Sequence, residues 1–110
     1  MIITFRSAAA GDVIMFGDVA RRLMELMGKS PDDQGIVTVE QLPAAIATLR
    51  TAVEDDRRRW SAMAEDDRPA SESVPGGGTR PFVSLTQRAA PLLELLEWAE
   101  KKKKPVTWGV

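Results

Sequence analysis

Any chemistry this chain performs must be done without histidine, cysteine or tyrosine, none of which occurs among its 110 residues. Their absence removes disulfides, thiolate and imidazole metal sites, histidine-activated nucleophiles and imidazole acid–base catalysis. Carboxylates, lysines, arginines and hydroxyls remain. The tetrapeptide Glu-Asp-Asp-Arg occurs at 54–57 and again, eleven residues on, at 65–68. Eleven residues are close to three helical turns, so on one continuous helix both groups would share a face and could offer carboxylates, centred on Glu54, Asp55 and Asp56, to Mg²⁺. Arg57, Arg58, Arg59 and Arg68 stand among those acids, however, and surface ion pairs on a solvated helix end account for the run better. The sequence therefore assigns no catalytic residue, no metal ligand and no cofactor.

Three further groups have recognisable chemistry. Gly28-Lys29-Ser30 has the form of the end of a phosphate-binding loop, but that motif needs a glycine where the chain has Leu23 and should open a helix, whereas here it closes one. A helix C-cap explains it. Lys101, Lys102, Lys103 and Lys104 follow Glu94, Glu97 and Glu100 on one helix, where cations complement the negative end of the dipole. Together with Arg57, Arg58 and Arg59 they carry the alternative functional reading, a nucleic-acid-binding protein using local basic patches. Trp60, Trp98 and Trp108 fall on or beside apolar stripes, which favours packing over base stacking. Trp60 follows three arginines near a helix end and suits an anchor for a partner, while Met15 and Met24 lie off the main stripe of their expected helix. The candidate partner interface is accordingly Met15, Met24, Arg57, Arg58, Arg59, Trp60 and Met63.

Composition sets the frame for these groups. A formal net charge of -1 gives no global attraction to nucleic acid or anionic lipid, and 44% hydrophobic content in this length makes one core and one domain spanning 1–110. No run approaches the roughly 18 apolar residues of a membrane span. Met1 leads into a strand-like run with Arg6 close behind, not a signal sequence, so a soluble cytoplasmic protein with no membrane partner is expected.

The positioning elements follow from periodicity. Residues 1–6 alternate as a strand, and Val13, Phe16, Ala20, Leu23 and Met27 step by three and four as a first helix, with Gly28 as its left-handed cap. Gly17 inside that helix implies a close approach or a bend. The longest pattern is 38–63, where Leu42, Ile46, Leu49, Val53, Trp60 and Met63 form one stripe and only Asp56 is out of place. Thr38 and Gln41 have the form of a capping box at its start, with regular helix from about Pro43. Residues 64–81 combine acids, prolines, serines and the glycines 76–78 with almost nothing apolar, which predicts a flexible linker. A second capping box, Ser84 with Gln87, opens a third helix carrying Leu85, Ala89, Leu92, Leu96 and Ala99 and interrupted by Pro91. Pro105 ends it, and residues 106–110 alternate as a second strand. The expected fold is α+β, β-α-α-α-β, with three amphipathic helices on a small sheet formed by the N- and C-terminal strands. A two-stranded ribbon leaves both edges open, so sheet continuation across a two-fold axis into a homodimer is also expected.

The segments VEQLPAAI at 39–46, SLTQRAAPLLE at 84–94 and the terminal WGV, in this order around a variable middle, resemble the domain of unknown function 1840 family of small bacterial proteins. The resemblance implies a single domain with a dispensable middle, and no activity, ligand or site residue. The functional expectation is thus a non-enzymatic protein-interaction or regulatory module, self-associating as a homodimer and binding a further protein.

Overall fold

The computed structural model describes residues 1–62 and 69–110. Its two chain ends pair as expected: β1 (Ile2–Ser7) runs antiparallel to β6 (Val106–Trp108), with Phe5 opposite Trp108 and Arg6 opposite Thr107. The ribbon is widened within the chain by β2 (Ala10–Phe16), which folds back on β1, and by β3 (Gly35–Val37), which lies along β6. The result is a four-stranded antiparallel sheet in the order β2-β1-β6-β3. Of three helices, α1 (Gly17–Leu26), α2 (Leu42–Ser61) and α3 (Leu85–Lys102), the first and third pack on the sheet and α2 packs on them, and a second sheet pairs β4 (Ser71–Ser73) with β5 (Thr79–Pro81). The α+β class with three helices stands, and four strands are added to the two expected.

Two elements differ from the sequence reading. The apolar steps at Val13, Phe16 and Ala20 cross a strand–helix junction and only imitate one helix. Over Ala10–Phe16 the alternation is that of a strand: Val13 and Met15 pack towards the core while Ile14 and Phe16 point outward. The helix begins at Gly17, whose N–H donates to the Met1 carbonyl at 2.8 Å, the close approach its missing side chain permits. This shorter α1 also places Met24 in its buried face beside Val19, Ala20 and Leu23. Met24 is fully buried, so its side chain offers no surface to a partner.

The second difference lies in the expected linker. Residues 63–68 fall outside the described residues, but 71–81 form a hairpin turned by Pro75 and three glycines, Gly76, Gly77 and Gly78, all in the left-handed region. The missing apolar pattern concealed short strands.

Trp108 is the centre of the main core. Its indole is 2% exposed, lies 5.6 Å from the Phe5 ring and donates Nε1–H to the Asp32 carbonyl at 2.9 Å. Gly35 lies flat against it, since a Cβ at that position would overlap the indole. On α2, Leu42, Ala45, Ile46, Leu49 and Val53 are buried where the helix packs on α3. The two expected pairs of reciprocal bonds form, the first of them in the turn ahead of α2, whose own N-cap is Gln41. Gln41 N–H donates to Thr38 Oγ1 at 3.3 Å and Thr38 N–H to Gln41 Oε1 at 3.1 Å, with regular helix from Leu42 and Pro43 in its first turn. Ser84 and Gln87 repeat the reciprocal bonds at α3. At the end of α1, Gly28 N–H reaches the Glu25 carbonyl and Lys29 N–H the Met24 carbonyl, so Gly28-Lys29 is a helix stop.

Candidate functional site

The hairpin contains few apolar groups, so something other than hydrophobic burial must hold it. Arg80 on β5 forms a two-pronged pair with Asp18 at the start of α1, Nη2 to Oδ2 at 2.6 Å and Nη1 to Oδ1 at 3.3 Å. Its Nη2 also lies 3.5 Å from Glu72 Oε2 on β4. The other Glu72 oxygen accepts from Arg88 of α3 at 3.1 Å and from the Val83 N–H at 3.4 Å. The Arg80 and Arg88 guanidinium groups stand 4.9 and 5.9 Å from the centre of the Phe16 ring. One charged chain therefore ties α1, β4, β5 and α3 together.

This geometry sets the acid strengths. The hydrogen bond from Arg80 holds the Asp18 carboxyl below its ordinary value, against a smaller opposing effect of partial burial. For Glu72 partial burial is the largest single influence and opposes ionisation, but the hydrogen bonds from Arg88, Arg80 and the Val83 amide together outweigh it and lower its pKa. Arg80 is correspondingly raised, chiefly by its bond to Asp18.

Between this chain and the end of α2 lies a cleft of about 280 Å³. One wall is aromatic, Trp60 of α2 against Phe82 at 5.1 Å between ring centres and an angle of 60°. The others carry Arg22, Arg59 and Asp56. Asp56 lies three residues after Val53 and four before Trp60, so helical geometry turns it to the buried face. The residue is 4% exposed, its Oδ1 lies 3.8 Å from Arg59 Nη2, and its Oδ2 has no hydrogen-bond partner among the described residues. Leaving a buried acceptor unmatched costs about 1–3 kcal/mol, so this oxygen needs an explanation.

A second concavity, about 390 Å³, runs along the outer edge of β2, because it is lined by both faces of that strand: Val13 and Met15 on one side, Ile14 and Phe16 on the other. Gln87 and Pro91 of α3 form its far wall.

The residues nominated from sequence are scattered over these features. Trp60 and Arg59 line the charged cleft, and Met15 lines the edge groove. Arg57 and Arg58 are exposed and bonded to Glu54 and Asp55, each three residues earlier, while Met24 is core and Met63 lies outside the described residues. Lys102 is engaged too, donating to the Ala9 carbonyl at 2.9 Å and lying, with Lys101, over the half-exposed Trp98 ring. Sequence reasoning missed Asp18, Glu72, Arg80 and Arg88. No local pattern joins these four residues, which are spread from α1 to α3. Asp56 was visible as the one acid interrupting the stripe of α2.

Among the described residues no three acidic side chains converge as a metal site, and no helix is long and apolar enough to cross a membrane. Comparison with known proteins places the chain in a family: the description Domain of unknown function (DUF1840) matches residues 1–108, and the chain belongs to it. No curated protein and no solved structure matches the chain.

Proposed function

We propose that this member of the family is a non-enzymatic interaction module that self-associates as a homodimer through the free edge of β2. The observation that carries the reading is the apolar groove along that edge. A strand edge has unpaired backbone N–H and C=O groups, and an occupant that satisfies them while filling an apolar groove on both sides is itself a strand with apolar residues on both faces. β2 is such a strand. Set antiparallel to its own copy about Val13, it opposes Asp12 to Ile14, Gly11 to Met15 and Ala10 to Phe16, with no like charges facing one another. Ile2 and Ile14, 62% and 65% exposed, would extend the contact on the outer face. On this reading the expected sheet continuation lies at β2, with Met15 contributing to it.

Sedimentation tests it directly. At tens of micromolar the native chain should sediment as a dimer of the 12.1 kDa chain, and Ile14→Lys should convert it to a monomer with an unchanged circular dichroism spectrum. A native chain that stays monomeric at that concentration overturns the reading.

A further inference from the structure

We infer that the cleft between the end of α2 and the hairpin binds an amphoteric molecule of amino-acid size, its ammonium group on Asp56 and its carboxylate on Arg22 and Arg59. The inference is independent of the proposed dimer. Its starting point is Asp56, whose side chain is 6% exposed yet has one oxygen with no hydrogen-bond partner among the described residues and a single arginine at the long distance of 3.8 Å. Of the three carboxylates that line the cleft, Asp18 and Glu72 are closely paired with Arg80 and Arg88, which leaves Asp56 as the one for a donor supplied from the cleft.

The surroundings narrow the donor's chemistry. A simple cation would meet Arg22 and Arg59, neither of which is neutralised at close range: Arg22 has no ion pair among the described residues and Arg59 has only the distant Asp56. A simple anion would find Arg80 and Arg88 already paired with Asp18 and Glu72 and would face the Asp56 carboxyl itself. A molecule carrying both charges satisfies each side. The volume, about 280 Å³, lies at the small end of ligand sites, which suits a free amino acid better than a nucleotide or a peptide. The Trp60–Phe82 wall gives an apolar or cationic side chain a surface to lie on.

The whole chain should be screened by thermal melt and titration calorimetry against each of the twenty free L-amino acids at millimolar concentration. At least one should raise the melting temperature. Its N-acetyl derivative, which lacks the ammonium, and its carboxamide, which lacks the carboxylate, should each bind at least about tenfold more weakly, the loss expected for one charge-assisted hydrogen bond. Asp56→Asn should weaken the free amino acid by a similar factor. Arg22→Gln should do so too while leaving the ligand-free melt unchanged, because Arg22 is exposed. Should Asp56→Asn fail to fold, the two derivatives and Arg22→Gln decide alone. The inference is overturned if no free amino acid binds or if the N-acetyl form binds equally well. Binding unaffected by Asp56→Asn overturns it too. Equal binding of the carboxamide, or indifference to Arg22→Gln, leaves at most an amine site and equally overturns the amphoteric assignment.

Discussion

The described residues form two antiparallel sheets held by opposite physics. In the main sheet Phe5, Val37 and Val106 are fully buried and Trp108 nearly so, and neighbouring strands meet through apolar side chains. In the hairpin β4–β5 the strands read Ser-Glu-Ser and Thr-Arg-Pro, and the contacts that fasten it to the body are Arg80 to Asp18, Glu72 to Arg88 and the Trp60–Phe82 pair. Apolar burial does not depend on ionised groups, whereas these partly buried ion pairs respond to pH and, more weakly, to salt. The same chain thus has a permanent sheet and a conditional one, and the cleft lies under the conditional one.

The largest effect should come from breaking the permanent sheet. Trp108→Ala removes the indole that touches Phe5 and Gly35 and leaves a cavity at the sheet centre, for which a loss of about 3–5 kcal/mol is expected. That is a large share of the stability of a domain this size, and urea denaturation should show it as a fall in midpoint at constant slope. A loss below about 1 kcal/mol would mean that the core is not organised around Trp108.

Next comes the conditional sheet. Asp18 and Glu72 both have pKa values lowered in the folded protein, so their ion pairs contribute fully above the ordinary carboxylate range and are lost as pH falls through the lowered folded values. As pH falls below the ordinary carboxylate range of about 4, NMR signals of residues 71–81 should therefore move towards unstructured positions before the Trp108 indole signal changes. High salt at neutral pH should produce a weaker version of the same shift. Hairpin signals that hold until the whole domain unfolds would show that the two sheets form one cooperative unit.

This division also explains what could be read from the sequence. Apolar periodicity found α2, α3 and the terminal strands, because each of them buries a stripe, and local hydrogen-bonding chemistry found the stop of α1 at Gly28 and the capping box of α3. It failed at β2, where Val13 stands three residues before Phe16 and Phe16 four before the buried Ala20 of α1, so that strand and helix merged into one apparent period. It failed again at the hairpin, whose fastening is electrostatic and links residues far apart, with Arg80 and Asp18 separated by 62 positions. No window-based pattern registers that pairing. The cleft was half legible for the same reason: Trp60, Arg59 and the anomalous Asp56 lie on one helix, while their counterparts arrive from α1 and the hairpin.

Asp56 gives the smallest and most discriminating test, because it is the one acid built into the apolar stripe of α2. A buried carboxyl with one unmatched oxygen and a 3.8 Å pair lowers stability relative to an apolar residue of similar size. Asp56→Leu extends the stripe from Val53 to Trp60, and the adjoining cleft leaves room for the extra methyl groups. We expect it to raise stability by about 1 kcal/mol, read as a higher urea midpoint, and to abolish amino-acid binding in the same sample. A variant that loses stability instead would show that the carboxyl holds the end of α2 in place, which would make the acid part of the permanent half of the molecule.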